Sequence, residues 1–251
     1  MEFCARKTKE ALIVWIRAWF EKNGRDCNAV IGISGGKDSS VCAALCVQAL
    51  GKDRVIGVLM PNGTQSDIAD SRQLVEYLGI RSVTVNIAGA VDAIHTQLRT
   101  ARIAATVQTE INLPPRIRMS VMYAVSQSMN GRVINTCNLS EDWVGYSTRY
   151  GDSAGDVSLL GKLTVQEVKS LGRELGLPKN LVDKTPSDGL CGSTDEQKLG
   201  FSYAVLDRYS REGYCEDSVV REKIDELHHA NRFKLELIPV FDSGLEEKYD
   251  H

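Results

Sequence analysis

The chain has 251 residues, 43% of them hydrophobic, so it can bury one sizeable core. Its 30 basic and 33 acidic residues give a formal charge of −3, which excludes a broad positive surface of the kind that binds nucleic acid. The seven scattered cysteines predict neither a disulfide framework nor a four-cysteine zinc site, and they indicate thiols in a reducing cytoplasm.

The first predicted element is an amphipathic helix over about residues 5–23. Its apolar side chains recur at helical spacing before Asn23-Gly24 ends the pattern: Leu12, Ile13, Ile16, Trp19 and Phe20. The charged residues between them exclude a signal peptide, and no other run approaches the roughly 20 apolar residues of a membrane span. We therefore expect no membrane partner. The apolar face of this helix is expected to cover either the chain's own sheet or a second subunit.

From residue 28 onward, apolar strands alternate with helical stretches. Strands are predicted in NAVIGI (28–33), RVIGVLMP (54–61), RSVTVNI (81–87) and RVINTC (132–137). Helices are predicted at about 39–50, 67–78, 91–110 and 117–130. The alternation predicts an α/β fold with a doubly wound, mostly parallel sheet flanked by helices, whose ligand lies beyond the carboxyl ends of the strands.

Three further helical stretches follow, at 164–175, 195–211 and 217–229. They predict a helical carboxyl-terminal part, from about 160 to 251, within a single domain that spans residues 1–251. No internal repeat or long linker divides the chain.

The loop after the first predicted strand has the chemistry of a phosphate site. It reads GISGGKDS (32–39), and the order strand, loop, helix places backbone amides at a helix N-terminus, which favours an anion. Gly35 and Gly36 would let a phosphate approach the main chain, while Ser34 and Ser39 would add hydroxyl donors. Asp38 would repel bound phosphates unless a divalent cation lay between them, which implies Mg²⁺.

The spacing excludes two common phosphate motifs and leaves one structural alternative. A Walker A loop needs a longer glycine spacing and a Ser or Thr after its lysine, and a Rossmann fingerprint needs a third glycine that GISGGK lacks. A plain strand-to-helix turn, with Ser39 as the helix cap, remains open on these residues alone.

Later stretches carry further candidate residues. Arg116 and Arg118 precede a predicted helix, where cations are mildly unfavourable, and this conflict indicates an anionic ligand. A polar and aromatic loop after the fourth strand contains Thr136, Glu141, Trp143, Tyr146, Arg149 and Asp152. The turn KTPSDGL (184–190) offers the hydroxyl of Ser187. Ser193 with Glu196 has the spacing of a capping box at a helix start.

The loop GISGGKDS resembles the Ser-Gly-Gly-x-Asp-Ser loop of the ATP pyrophosphatase (PP-loop) superfamily, which implies an adenine nucleotide alpha hydrolase-like fold that holds the pyrophosphate end of ATP. Three later strings resemble motifs of NAD synthetases, a family within it. They are RIRM (116–119) before a tyrosine, NLSEDWVGYSTRYGD (138–152) with a further aspartate at Asp156, and Pro-Ser (186–187) followed by DEQKLG (195–200). The resemblance covers about residues 10–241.

The resemblance implies ATP-dependent amidation of nicotinic acid adenine dinucleotide (deamido-NAD) with ammonia, through an adenylated carboxylate, releasing AMP and pyrophosphate. It implies catalytic roles for Asp38, Glu141 and Asp152, with Asp38 and Glu141 binding Mg²⁺ and Asp152 near the ammonia site. The ATP-binding positions it implies are Gly32, Ile33, Ser34, Gly35, Gly36, Lys37, Asp38, Ser39, Gln65, Thr136 and Ser187. Deamido-NAD is expected at Arg116, Tyr146, Arg149, Asp156 and Lys234. The family also implies a homodimer with the dinucleotide site at its interface.

Three positions depart from the family pattern. Many relatives have a lysine where this chain has Val165 and an arginine where it has Leu59, and Lys234 stands for a usual His-Lys pair. Lys37 would either compensate for the missing cations around the triphosphate or be a solvated lysine. The length leaves no room for an amidohydrolase domain, so we expect free ammonia as the nitrogen source, or a separate glutaminase subunit.

Two alternatives remain. The first is another adenylating PP-loop ligase or amidase, although a tRNA-modifying member should have a basic surface. The second is a catalytically silent nucleotide-binding protein.

Overall fold

The computed structural model describes residues 3–64, 68–184 and 194–244, and these residues form a five-stranded sheet that is parallel throughout. The strands are β1 (Asn28–Gly32), β2 (Val55–Leu59), β3 (Arg81–Thr84), β4 (Gly131–Asn135) and β5 (Val157–Ser158). Their order is β3-β2-β1-β4-β5, and Val30 lies opposite Ile56 on one side and Val133 on the other. The winding direction reverses between β1 and β4, which creates a topological switch point.

Helices surround this sheet, and their described bounds are α1 (Ala5–Asn23), α2 (Lys37–Leu50), α3 (Ile68–Leu78), α4 (Ala88–Thr100), α5 (Val107–Ser128), α6 (Leu139–Trp143), α7 (Val165–Glu174), α8 (Lys179–Val182), α9 (Asp195–Leu199), α10 (Tyr203–Glu212) and α11 (Ser218–Asn231). Short 3-10 turns lie at Lys52–Arg54 and Arg232–Lys234. No helix within the described ranges is long and apolar enough to cross a membrane.

Alternate residues of β1 enter two different cores, as a strand buried on both faces requires. Ala29 and Ile31 belong to the larger core, with buried side chains of α1, α2 and α7. Val30 packs in a second core with Met122 of α5 and Val133 of β4. The predicted doubly wound parallel sheet flanked by helices is confirmed.

The apolar face of α1 covers the chain's own core. Ile16 and Phe20 are fully buried in the larger cluster, where α1 packs against α2 and α7. The predicted helix over 5–23 is therefore confirmed, and the side chains that predicted it pack within the chain. Helix α2 is buried around most of its circumference, which explains why it is rich in small Ala, Ser and Cys side chains.

The single helical stretch predicted at 91–110 is wrong, because two helices lie there. Helix α4 ends at Thr100, where Arg102 adopts a left-handed backbone with φ +60°. The amides of Arg102 and Ile103 bond back to the carbonyls of Arg99 and Leu98, which is a Schellman stop made without glycine. Helix α5 then begins after the Thr106 cap, ten residues before the predicted start at 117, and it runs through Pro114 and Pro115.

The structure also differs from the prediction at helix α9 and at strand β5. The stretch predicted at 195–211 is two helices, because Gly200 adopts a left-handed backbone with φ +79° and ends α9. The N-cap of α9 is Thr194, which forms a capping box with Gln197, and the predicted cap Ser193 lies outside the described residues. Strand β5 was not predicted, since two residues are too few to show a period.

Candidate active site

The predicted residues of the loop 32–39 and of the segment 136–156 lie at the carboxyl ends of β1 and β4, whereas Arg116 and Arg118, which were predicted to precede a helix, lie inside α5. The loop 32–39 follows β1, and the segment with Thr136 and Glu141 follows β4. Because Ile31 and Ile134 are register partners, the two segments leave the sheet side by side at the switch point. A hydrogen bond of 3.0 Å from Asn138 Nδ2 to Asp38 Oδ1 joins them.

The loop 32–39, called the phosphate-type loop below, is ordered by hydrogen bonds of its serines, and these leave the first amides of α2 uncapped. Gly36 is the N-cap of α2 and has no side chain to occupy the helix's first amides. Ser34 Oγ accepts from the Gly36 amide at 3.3 Å and lies 3.2 Å from Ser39 Oγ, which donates to the Gly36 carbonyl at 3.2 Å. The prediction that Ser39 caps the helix in a plain turn is therefore wrong in its cap, and an N-terminus whose N-cap has no side chain suits an anion.

Helix α3 supports this loop from behind. Gly35 has φ +77°, and a Cβ there would lie 2.7 Å from the Cβ of Asp70 and 2.8 Å from the backbone nitrogen of Ser71. Ser71 Oγ donates to the Ile33 carbonyl at 3.0 Å, and Asp70 pairs with Lys184 Nζ at 2.6 Å. The conformation of the loop thus depends on glycine at position 35.

Lys37 lies between the two carboxylates predicted to bind Mg²⁺. Its Nζ is 2.7 Å from Asp38 Oδ2 and 3.6 Å from Glu141 Oε1, and its side chain is 3% exposed. Burial opposes the charged ammonium, but Asp38 and Glu141 outweigh burial and raise the pKa of Lys37. Burial, with the charge of Asp38, raises the pKa of Glu141 to about 8 against the opposing charge of Lys37. The interpretation of Lys37 as a solvated lysine is wrong.

Asn138 is a site residue to which sequence reasoning gave no role. It is fully buried, and its side-chain oxygen caps α6 by accepting from the Glu141 amide at 3.1 Å. Its amide nitrogen donates to Asp38. One side chain therefore orients the backbone of one carboxylate residue and the carboxylate of the other. The available signal was an Asn three residues before a Glu at a helix start.

Asp152 and Lys234 form a second charged group near the same loop. Asp152 Oδ1 accepts from the Thr148 amide at 2.9 Å, and burial raises the pKa of this carboxyl while Lys234 opposes the rise. Lys234 donates to the Gly145 carbonyl at 2.6 Å, and burial lowers its pKa while Asp152 opposes that effect. Each group thus favours the charged form of the other, which burial opposes.

Tyr146, from the loop after α6, lies beside Asp195 of α9 and Tyr203 of α10 on one side of the site. Tyr146 donates to Asp195 Oδ1 at 2.6 Å, and Asp195 is buried. Tyr203 is also buried, and its hydroxyl has no hydrogen-bond partner among the described residues. Burial, with the charges of Glu141 and Asp195, raises the pKa of Tyr203. Sequence reasoning gave Asp195 and Tyr203 no role in the site.

The predicted dinucleotide residues separate into two sets. Arg116 Nε donates to the Arg149 carbonyl at 3.4 Å, and Arg149 donates to the Glu236 carbonyl at 3.3 Å with its guanidinium over the Phe233 ring. Asp156 instead accepts from the Val133 amide of β4 at 2.7 Å, and its other oxygen lies 3.5 Å from the Tyr123 hydroxyl. Gln65 and Ser187 lie outside the described residues, so their predicted roles stay predictions.

Comparison with known proteins decides the family. The protein-family model described as NAD synthase matches residues 8–239, which is most of the chain. The chain belongs to the NAD synthase family. A relative from Methanosarcina acetivorans named NH(3)-dependent NAD(+) synthetase is 37% identical over 236 residues, covering 90% of this chain and 91% of the relative.

Solved structures agree with this NAD synthase assignment. A structure named NMN synthetase from Francisella tularensis superposes with a TM-score of 0.89 at 31% identity, covering 96% of this chain and 100% of the other. An NH3-dependent NAD synthetase from Campylobacter jejuni, solved with the nitrate ion, has a TM-score of 0.79 at 27% identity, with the same coverage.

The structure shows what surrounds the two residues, Val165 and Leu59, at which this chain lacks a cation of the family pattern. Val165 begins α7 and packs in an apolar cluster with Val144, Leu199 and Phe201. Leu59 ends β2 and is buried in the larger core. Neither position offers a cation. Lys37, a residue of the loop 32–39, is a cation that lies buried against the carboxylates of Asp38 and Glu141.

Proposed function

We propose that this chain is an ammonia-dependent NAD synthetase. It uses ATP to adenylate the nicotinate carboxylate of deamido-NAD with release of pyrophosphate, and ammonia then displaces AMP to form the amide of NAD. The observation that carries the proposal is the switch-point site, where a helix N-terminus open to an anion adjoins two carboxylates on one buried cation. Membership of the NAD synthase family supports the substrate assignment.

The donor set fits Mg²⁺ that is shared with bound phosphates. Among the described residues no group of three or more His, Cys, Asp or Glu could hold a metal alone. Asp38 and Glu141 supply two carboxylates, and Mg²⁺ commonly binds one or two carboxylates together with water and substrate phosphates. Bound there, Mg²⁺ would neutralise charge on the pyrophosphate as it leaves.

The chain's own residues bind the two substrates and accept the proton. The loop residues 32–39 bind the phosphates through backbone amides and serine hydroxyls, and Gln65, Thr136 and Ser187 complete the ATP site. Arg116, Tyr146, Arg149, Asp156 and Lys234 bind deamido-NAD. Asp152 accepts a proton from ammonium, a role favoured by the burial that raises its pKa.

We also propose that the protein is a cytoplasmic homodimer. Large apolar side chains of α4, α5 and the segment between them are solvent-exposed in the single chain, namely Ile94, Ile103, Val107 and Ile111. A second copy would cover them. Six described cysteines are free thiols, which fits a reducing compartment. Light scattering during size exclusion tests the dimer directly.

A second candidate is formation of NMN from the corresponding acid mononucleotide, and the Francisella tularensis structure named NMN synthetase favours it. Purified protein with Mg-ATP and ammonium should be offered deamido-NAD or nicotinic acid mononucleotide in parallel, and NAD, NMN, AMP and pyrophosphate measured. We expect NAD, AMP and pyrophosphate in equal amounts. Preferential formation of NMN would transfer the assignment to the second candidate, and no ATP-dependent amide with either substrate would refute both.

The same assay distinguishes the nitrogen source. Glutamine in place of ammonium should give no product with the chain alone. Asp38→Asn is the inactive control, because it removes a proposed metal ligand while conserving the shape of the side chain.

A further inference from the structure

Lys37 occupies a position that ordinary helix energetics disfavours. It is the first residue of α2, where the helix dipole repels a cation, and its side chain is 3% exposed. A buried lysine is rare unless it is paired, and the partners of Lys37 are the Asp38 and Glu141 carboxylates. The sequence therefore places a cation where these two acids, with a smaller contribution from Asp195, make it favourable.

The ammonium and a metal ion require the same two carboxylates. The ammonium of Lys37 donates to Asp38 Oδ2 at 2.7 Å and lies 3.6 Å from Glu141 Oε1. A divalent cation on these carboxylates would face the ammonium at close range in a water-poor site, where like charges repel strongly. One cation must leave when the other binds.

The lysine side chain is able to leave. Its charge is a point charge on a flexible four-carbon stem, unlike the rigid fork of arginine. Lys37 also lies between Gly36, at the open end of α2, and Asp38. An ammonium released from the carboxylates therefore remains beside the loop to which the proposed function assigns the ATP phosphates.

We propose that Lys37 is a tethered counterion that pairs with Asp38 and Glu141 before substrate binds, is displaced from them by Mg²⁺, and then pairs with the phosphates of ATP. This inference rests on the proposed function, because it takes Asp38 and Glu141 as the metal ligands. It predicts that free metal binds weakly to the protein alone, and that metal and ATP strengthen each other's binding.

The test measures binding of Mn²⁺, as a spectroscopic substitute for Mg²⁺, to the full chain without nucleotide by electron paramagnetic resonance. Lys37→Met conserves the length of the side chain but removes its charge, so Mn²⁺ should bind about tenfold tighter than to the wild type. In the presence of Mg²⁺, ATP should bind this variant about tenfold more weakly. Lys37→Arg retains the charge and should not tighten Mn²⁺ binding.

Three controls separate the possible failures. Lys22→Met removes a charge from an exposed position of α1 and should leave the Mn²⁺ affinity unchanged. Asp38→Asn and Glu141→Gln should each abolish binding at this site; if they do not, the proposed metal site is wrong. If they abolish binding but folded Lys37→Met binds Mn²⁺ no more tightly than the wild type, the inference about Lys37 alone is overturned.

A measurement on the wild type avoids dependence on one variant. A trace of an amine-acylating reagent, mapped by peptide mass spectrometry, should modify Lys37 several-fold faster when Mg²⁺ is added without ATP. Displacement takes the ammonium from its carboxylates and exposes it, so labelling that does not increase would overturn the proposal even if Lys37→Met fails to fold.

Discussion

The adjacent glycines of the phosphate-type loop should respond differently to the same substitution. In Gly35→Ala the new methyl group meets the Asp70 Cβ at 2.7 Å and the Ser71 backbone nitrogen at 2.8 Å, and the residue must keep φ +77°. In Gly36→Ala the methyl group meets only Ser34 Oγ at 3.4 Å, and the backbone, with φ −91° and ψ 171°, is one that alanine adopts. Alanine at position 36 is therefore the matched control.

The expected cost of Gly35→Ala has two parts. A left-handed backbone costs a non-glycine residue about 1–2 kcal/mol, and forcing a methyl group into packed α3 costs about 1–3 kcal/mol. The free energy of unfolding should therefore fall by about 2–5 kcal/mol, which lowers the melting temperature by roughly 4–20 °C in a chain of this size. Gly36→Ala should change the free energy of unfolding by less than about 1 kcal/mol.

Gly36→Ala should weaken ATP binding even though it leaves the free energy of unfolding almost unchanged. The Cβ of Gly36→Ala stands at the N-cap of α2, where a phosphate would approach most closely, so this folded variant should bind Mg-ATP at least about tenfold more weakly. Urea unfolding followed by tryptophan fluorescence gives the stabilities, and calorimetric titration gives the affinities. Equal stability of the two variants would refute the packing argument, and unchanged ATP affinity in Gly36→Ala would refute the phosphate role.

Three further predictions concern the side chains of the site. Asn138→Ala removes a charge-assisted hydrogen bond to Asp38 and the cap of α6, so urea titration should show a loss of about 2–4 kcal/mol; a loss under about 1 kcal/mol would contradict the contacts described. Asp152→Asn should slow the ammonia step by about 100-fold or more but leave substrate-dependent pyrophosphate release nearly intact, and single-turnover assays that find equal losses would exclude a role at ammonia. A carboxyl whose pKa is raised holds its proton to higher pH, so the Mg²⁺ needed for half-maximal rate should rise as the pH falls below about 8, where Glu141 becomes protonated; a Mg²⁺ requirement that is flat with pH would show that Glu141 is not a ligand.

Sequence patterns predicted the parts of the fold that long apolar runs specify. The strands β1, β2 and β4 follow from continuous and largely buried apolar segments, whereas β3, although predicted, is mostly exposed; a parallel sheet follows from the helices between the strands. The break after α4 could not be predicted in this way, because Arg102 takes the left-handed position that glycine usually marks. The break after α9 was predictable, since Gly200 marks it in the sequence.

The candidate site was predictable where its residues are consecutive. The loop 32–39 carries its phosphate chemistry in one string, and the motif resemblance named Glu141 and Asp152. The burial of Lys37 could not be predicted, because it depends on Glu141, more than a hundred residues further on, and on packing around α2. The roles of Asp195 and Tyr203 were missed for the same reason, since their contacts with the site depend on the packing of α9 and α10.

The hydrogen bond between Asn138 and Asp38 joins side chains 100 residues apart, across strands that are neighbours only in space. This hydrogen bond can form only after the chain segment between the two residues, which holds α2 to α5, has been ordered. The entropy lost in closing that segment must be met before the contact is gained. Nucleotide affinity should thus appear late in folding, with the pairing of β1 and β4. A fluorescent ATP analogue added during refolding would report the time at which the two halves of the sheet meet.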